Sequence, residues 1–360
     1  MNSSGEFGRL YAAAKELEAD GFRRSAALAT VLRTRGSTYR HAGASMLVRG
    51  DGSVVCPLAG GCPQHDLVLR ARNVMRDDRA QRATYNRETG LDVLVEAGCG
   101  GELDVLLEPV SRRNDLAFLE VLARLHEQRT CGTLATIFAR AGEVLPRPQR
   151  LVWSDAVEWH DIEDAKLMGR IRSVAPDSGG RKRTMIRHVE SAGRMVEVLL
   201  ERIEPVHRLL VFGANAGSEA LARIAEPLGW RVLLFDSTDA VPAGTRCVRT
   251  APNALREHVT FDRFTSAVVM THNLERDLAW LRALEHASLA YLGVIGSRER
   301  AARIRSALPR LGERLHCPAG LEIGAETPEE IALSVIGEIL ALSRLRGACG
   351  LAPALRAAVA

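Results

Sequence analysis

Three patterns predict an α/β chain, with an N-terminal α+β domain followed by a doubly wound parallel-sheet domain. The first is a strand–turn–helix–strand run, RLLVFGANAGSEALARIAEPLGWRVLLFDS, from Arg208 to Ser237. The second is a pair of later apolar runs, AVVM at 267–270 and AYLGVI at 290–295, with helical patterns between the runs. The third is a mixture of hairpin and helix signals over residues 1–110.

In the Arg208–Ser237 run, apolar Leu209–Phe212 meets a small-residue turn, then an amphipathic helix. A second apolar run, Val232–Phe235, then ends in Asp236. That order is the first βαβ unit of a Rossmann-like, dinucleotide-binding sheet. Such a turn presents backbone N–H groups at a helix N-terminus, where phosphate binds well. An acid closing the second strand suits a ribose hydroxyl. The glycine fingerprint is incomplete, however. GxGxxG needs Gly at 213, 215 and 218, and the chain has Gly213, Asn215 and Ser218. Gly213 permits the tight turn. Asn215 brings a side chain to where a pyrophosphate approaches closely. The sequence therefore specifies the fold more firmly than NAD(P).

The 360 residues suffice for two or three domains with their own cores. Net charge is only +4 with both signs mixed, which gives no reason to expect nucleic acid. One basic run, RKRTMIRH at 181–188, reads as a solvated helix face rather than a phosphate site. The N-terminus is polar and amphipathic, unlike a secretory signal, and no apolar run reaches the length of a membrane span. The seven cysteines form no CxxC pair, and no His stands at zinc-finger spacing. A reduced, cytoplasmic protein without zinc is expected.

Along the chain, residues 8–20 carry Leu10, Ala13, Ala14 and Leu17 at helical spacing. SAALATVLRTRG then reads as an apolar strand. Two β runs joined by Gly50–Gly52 form a hairpin signal. A helix is expected over Asp66–Asp77. Two strands are expected within Leu91–Val110, joined by a Gly-rich turn at 98–101. A helix follows at Asp115–Gln128 and a strand at 130–142. The stretch 143–206 gives no clear pattern, and SAGRMVEVLLERI suits helix or strand. Residues 111–206 are taken to complete the first domain and connect it to the sheet domain, 207–350, with a tail at 351–360. Thr327 reads as an N-cap, Pro328 as the first helical residue, and Glu330 as the partner in a capping box.

Four clusters carry candidate chemistry. RTRGSTYRHAGASM (33–46) has a Gly turn with Ser37 and Thr38 beside Arg33, Arg35 and Arg40. LAGGCPQHD (58–66) places Gly60, Gly61 and Cys62 ahead of a helix, a pattern that makes an anion nest. GCGG (98–101) is the third. Singly, each is an ordinary turn; together, within seventy residues, they point to a ligand site. The fourth lies at strand ends of the sheet domain: Thr271 and His272 in MTHNLERD, and Gly296, Ser297 and Arg298 in IGSRERAARI. Residues just past the carboxyl ends of parallel strands line the ligand crevice. Arg298 suits a phosphate or carboxylate, and His272 suits acid–base work near neutrality. The stretch before the last helix, with Gly320 and Gly324, fits packing and ligand contact equally well.

These clusters, in this order, resemble the XdhC/CoxI family of molybdenum-hydroxylase accessory proteins. The matching segments are RTRGSTYRHAGASM, AGGCPQHD, GCGGELDVLLEP, LLVFGANAGSEAL, VMTHNLERD, YLGVIGSRERAARI and CPAGLEIGAETPEEIALSVIGEI. They cover about 20–110 and 207–345. The resemblance implies a protein that binds molybdenum cofactor, protects it during sulfuration and helps insert it into a xanthine dehydrogenase-type enzyme. It implies a molybdenum hydroxylase as partner, a cysteine desulfurase as a further one, and a homodimer. By the same resemblance the candidate cofactor-binding residues fall in both domains. In the first they are Gly36, Ser37, Gly60, Gly61, Cys62, Cys99, Gly100 and Gly101. In the sheet domain they are Gly213, Asn215, Asp236, Thr271, His272, Gly296, Ser297 and Arg298. Cys62 is the candidate molybdenum contact; a thiol at a helix N-terminus favours thiolate, while a buried Cys in a tight turn is the alternative. The chain departs from the family pattern at Gln64, Pro63, Asn215, Ala216, Asn273, Tyr39 and His41.

No nucleophile–base pair is evident, so the leading reading is a non-catalytic cofactor chaperone. An NAD(P)-dependent oxidoreductase using Asp236 and His272 is the second. A nucleotide-binding assembly module that docks on an enzyme is the third.

Overall fold

The structure is a computed structural model that describes residues 4–86, 101–175, 183–238 and 247–345. The chain divides into two compact units, Met1–Pro205 and Val206–Ala360.

The first unit holds two antiparallel five-stranded sheets. One contains β1 (Ala26–Arg35), β2 (Ser45–Arg49), β3 (Val54–Val55), β4 (Gln81–Tyr85) and β5 (Glu102–Val110), in the order β3-β2-β1-β5-β4. The central strand β1 is buried on both faces, which is why AALATVL is a continuous apolar run rather than an alternating one. On one face Ala27, Ala29 and Val31 pack against Leu67, Ala71 and Val74 of α2 (Gly61–Asp77). On the other, Ala26 and Leu28 join Phe7, Leu10 and Leu17 of α1 (Ser4–Ala19) and Leu119 and Leu122 of α3 (Ala117–Glu127). Helix α2 begins five residues before the expected start at Asp66, because Gly61 and Cys62 form its first turn.

The stretch without a clear pattern builds most of the second sheet. It contains β6 (Gly132–Arg140), β7 (Glu143–Trp153), β8 (Glu158–His160), β9 (Thr184–Ser191) and β10 (Arg194–Ile203), in the order β8-β7-β6-β10-β9. Helix α4 (Ala165–Ser173) lays Leu167 and Ile171 on Ala135, Ile137 and Val198. Its N-cap, Asp164, accepts from the N–H groups of Lys166 and Leu167, each at 3.0 Å. The basic run is not a helix face: residues 184–188 lie in the edge strand β9. Ala192 and Gly193, both at positive φ (51° and 73°), close a two-residue hairpin into β10, and that turn fixes the strand pairing. SAGRMVEVLLERI is accordingly not a helix: it holds the end of β9, the turn and the strand β10.

An ion pair links the sheets within this unit. One Nη of Arg150 on β7 donates to both Glu108 oxygens on β5, at 2.8 and 2.6 Å, with both side chains 6% exposed. The Arg150 guanidinium also lies over the Phe118 ring, 4.3 Å from its centre. Burial pushes the Glu108 carboxyl up, and the Arg150 charge opposes that.

The second unit is a parallel sheet of β11 (Arg208–Phe212), β12 (Arg231–Asp236), β13 (Cys247–Arg249), β14 (Thr265–Val269), β15 (Tyr291–Val294) and β16 (Leu315–His316). The order β13-β12-β11-β14-β15-β16 is that of a Rossmann sheet, with its switch point between β11 and β14. The short outer strands β13 and β16 carry too few residues to show a period. Leu209 and Val211 pack on α5 (Ala216–Ala225) and α9 (Pro328–Leu345). Leu210 and Phe212 pack on the opposite layer, formed with the short α6 (Leu255–His258), α7 (Leu274–Leu284) and α8 (Arg298–Ala307). The capping box before α9 is present: Thr327 N–H donates to Glu330 at 2.9 Å, and Glu330 N–H to the Thr327 hydroxyl at 3.3 Å. Buried Glu338 of α9 accepts from Tyr291 Oη (2.5 Å) and Gly320 N–H (2.7 Å) and meets His316 Nδ1 at 2.8 Å. The Gly320 segment therefore packs the last helix onto the sheet.

Two stability measurements follow from these contacts. Arg150→Met strands the buried Glu108 carboxylate and should lower unfolding free energy by about 3–5 kcal/mol, whereas the double change with Glu108→Leu should recover most of it. Denaturant titration reads both. Burial against Phe7 depresses His126 to about 4. A base depressed in the folded state binds more protons when unfolded, so its contribution is full above pH 6.5 and is lost as pH falls toward 4. In His126→Leu, that part of the acid-induced loss between pH 6.5 and 4 should disappear.

Candidate functional site

In the first unit the motif loops gather at one end of the first sheet. Strand β1 ends at Arg35, whose partner Glu102 opens β5, and β3 runs toward that same end. Gly36 turns the chain at φ 72°. The Thr38 hydroxyl donates to Arg40 O at 2.7 Å. Arg40 Nε donates to Pro57 O at 3.3 Å, and its guanidinium pairs with buried Glu6. These contacts tie the loop after β1 to the loop before α2. Gly101 lies so close to the Ser37 carbonyl that a Cβ there would collide with it. Ser37, Gly36 and Gly101 are thus held together by backbone approach.

Gly60 is the N-cap of α2, and among the described residues no side chain caps that helix. Among the described residues, a Cβ at Gly60 or Gly61 would meet nothing within 4 Å. Gly61 sits at φ 60° and Cys62 is exposed in the first turn. Gln64, where the family carries an acid, accepts the N–H groups of Leu58 and Ala59 at 3.2 and 3.1 Å. An amide oxygen does this without bringing a charge. Cys99 and Gly100 lie outside the described residues. Among the described residues, no three His, Cys, Asp or Glu side chains are placed to hold a metal ion.

In the second unit, the carboxyl ends of β11, β12, β14 and β15 carry Gly213, Asp236, Thr271 and Gly296 respectively. Gly213 is required twice over. Its φ is 109°, and a Cβ would stand 2.8 Å from Met270 O. Asn215 is the N-cap of α5. Its Oδ1 accepts from Gly217 and Ser218 N–H at 3.0 and 3.2 Å, and its Nδ2 donates to Met270 O at 2.8 Å. Asn215 N–H in turn donates to the Ser218 hydroxyl at 2.9 Å. The helix N-terminus that would cradle a pyrophosphate is occupied by the protein's own amide.

Asp236 is likewise engaged. It accepts from Ala214 N–H (2.8 Å), Thr238 N–H and hydroxyl (2.9 Å each) and an Arg276 Nη (2.6 Å). Burial opposes its ionisation, but these donors outweigh burial and hold the carboxyl below its usual range. A ribose hydroxyl finds no idle oxygen there. Thr271 and the fully buried Asp277 form a second knot: Asp277 accepts from the Thr271 hydroxyl at 2.6 Å and from an Arg300 Nη at 2.6 Å. His272 is exposed at φ 58°, a left-handed backbone region that His, like Asn and Asp, enters more often than other non-glycine residues. Asn273, where the family has Asp, caps α7 by accepting from Arg276 N–H at 3.0 Å. Ser297 caps α8 in the same way, toward Arg300 N–H at 3.2 Å. Arg298 faces solvent and pairs with Glu322, both side chains 85% exposed.

Arg276 and Arg300, not Arg298, thus reach the strand ends. No single-residue signal separates them from the other arginines. Helix phase does, since both stand at the third position of a helix starting just past a strand.

The matches to known proteins fall on both units. Residues 22–86 match the XdhC and CoxI family, and residues 209–339 match the XdhC Rossmann domain. The chain belongs to the XdhC/CoxI family. A Bacillus subtilis (strain 168) relative described as a probable xanthine dehydrogenase component is 28% identical over 88% of this chain and 92% of its own length. The Escherichia coli (strain K12) molybdenum cofactor insertion chaperone PaoD is 24% identical over 88% of this chain and 83% of its own. A crystal structure described as a xanthine dehydrogenase from Bacillus halodurans superposes with a TM-score of 0.74. It covers 94% of this chain and 98% of its own at 24% identity, and so shares the fold.

Asn215→Ala should remove the α5 cap of this XdhC-type turn and lower stability by about 1–2 kcal/mol, read by denaturant unfolding. The change should leave far-UV helix content nearly intact.

Proposed function

We propose that this XdhC/CoxI protein is an accessory factor that binds molybdenum cofactor and assists its sulfuration and insertion into a xanthine dehydrogenase-type molybdenum hydroxylase. The observation that carries the reading is the contrast between the two helix N-termini. At α5 the N–H donors are spent on Asn215, whereas at α2, among the described residues, the Gly60–Gly61 turn has no side-chain cap, a Cβ at either glycine meets nothing within 4 Å, and Cys62 is exposed. The similarity to PaoD over most of both chains supports the same role.

The donor set suits the cargo. Molybdenum cofactor carries a soft dithiolene-bound metal and a terminal phosphate. A thiol is a soft ligand, and Gly60–Gly61 backbone at a helix N-terminus suits the phosphate or another anionic edge. Gly36, Ser37 and Gly101 hold the neighbouring loop in place. A cysteine desulfurase as sulfur source and a homodimer complete the proposal. The reading as an NAD(P)-dependent oxidoreductase using Asp236 and His272 is less supported, since Asp236 is internally satisfied and Asn215 fills the turn where a pyrophosphate would sit.

Equilibrium binding of isolated molybdenum cofactor to the purified protein, with NADH and ATP as competitors, tests the proposal. Saturable cofactor binding that NADH does not displace is expected, and Cys62→Ala should weaken it about tenfold while unfolding is unchanged. Saturable NADH binding without cofactor binding would move the role to an oxidoreductase or a nucleotide-binding assembly module.

A further inference from the structure

The Rossmann-like unit contains two arginines whose donor capacity the protein does not use up. Arg276 gives one Nη to Asp236 at the end of β12, and Arg300 gives one Nη to Asp277 behind the end of β14. Among the described residues, the Nε atoms of both are buried and meet no hydrogen-bond partner. The side chains keep 30% and 20% of their surface exposed. Arg300 lies against Gly296 at the end of β15, where a Cβ would stand 2.8 Å from its Cδ. The two guanidiniums therefore bracket the switch point, one on the β12 side of the β11–β14 pair and one on the β15 side.

We infer that Arg276 and Arg300 form a phosphoryl-binding site at the switch-point crevice, separate from the turn that Asn215 closes. Ligands of doubly wound sheets lodge outside the carboxyl ends of the strands at this place. The local chemistry selects an acceptor. Both Asp236 oxygens and both Asp277 oxygens already accept hydrogen bonds, so what remains unspent is guanidinium N–H. With Nε buried, the exposed part of each guanidinium lies away from Nε, and its Nη donors match the oxygens of a phosphoryl group. The N-termini of α7 and α8 add partial positive charge at the same end of the sheet. Asp236 keeps three other donors when Arg276 turns away, so that arginine can exchange its carboxylate for a ligand at little cost to the turn. The site deepens the cofactor-binding proposal and rests on it only for the identity of the ligand. A phosphoryl group of the pterin cargo and one of a free nucleotide or pyrophosphate present the same oxygens.

Calorimetric titration of the full chain with inorganic pyrophosphate, and separately with isolated molybdenum cofactor, tests the inference. Arg276→Lys and Arg300→Lys keep the charge that Asp236 and Asp277 require but lose the fork, so folding is preserved. Arg298→Gln is the control, because Arg298 lies on the solvated face. The expected result is saturable pyrophosphate binding that each Lys variant weakens about tenfold or more and that Arg298→Gln leaves unchanged. The charge-assisted bonds lost are of that order. If the Lys variants weaken cofactor and pyrophosphate alike, the site holds the cargo's phosphoryl group. If they weaken pyrophosphate alone, the site stands and its ligand is a free phosphoryl compound. If the cofactor does not bind at all while pyrophosphate does, the accessory reading fails and the site stands. Absence of pyrophosphate binding overturns the site, and so does equal weakening by Arg298→Gln. Lys variants that shift the melting temperature but leave binding unchanged also overturn it, since the arginines then only brace the sheet.

Discussion

A sheet buried on both faces can offer a ligand only its ends, and this constraint organises each unit of the chain. β1 is sandwiched between α2 on one face and α1 with α3 on the other, and β11 lies between layers of helices. Neither face of either strand has surface left for recognition. The turns that leave the strands must therefore carry both the chain reversal and the chemistry. Glycine at 36, 101 and 213 is required by the reversal: positive φ at 36 and 213, close backbone approach at 101 and 213. The same bare backbone is what lets a ligand come near. Structural and functional demand fall on the same residues, so a glycine motif alone does not separate them.

What separates them is whether the polar groups are already satisfied. At α5, Asn215 supplies from within the chain the acceptor that a phosphate supplies in a dinucleotide-binding sheet, and Asp236 accepts four donors instead of a ribose. A ligand there would have to displace bonds worth as much as those it makes. At α2, among the described residues, no side chain plays Asn215's part, and Gln64 serves the loop behind the turn rather than the turn itself. The departures from the family pattern read consistently in this light. Gln64 and Asn273, where the family carries acids, accept backbone N–H groups through a neutral amide oxygen.

Buried ions follow a related rule within each unit. Arg150 with Glu108 joins the two antiparallel sheets, and Arg300 with Asp277 and Thr271 fixes the crevice behind β14. A buried charge is tolerated only when paired, so such pairs set the register of the elements they link. Glu338 does the same for the last helix through Tyr291, His316 and Gly320, which accounts for the conspicuous segment before that helix as packing rather than ligand contact.

The sequence by itself determined the doubly wound sheet, the strands at 209–212, 232–235, 267–270 and 290–295, the α9 capping box and the family membership. These rest on local periods, caps and motif order, which neighbours in the chain are enough to define. It left 143–206 unread, because edge strands and hairpins such as β9–β10 draw their pattern from cross-strand partners. It also placed Arg298 in the crevice on strand-end position alone. Only the tertiary structure decided that Arg298 pairs outward with Glu322 while Arg276 and Arg300 turn inward to Asp236 and Asp277. Whether a side chain is spent or available depends on partners 23 and 40 residues away in the chain, brought within bonding distance by the fold.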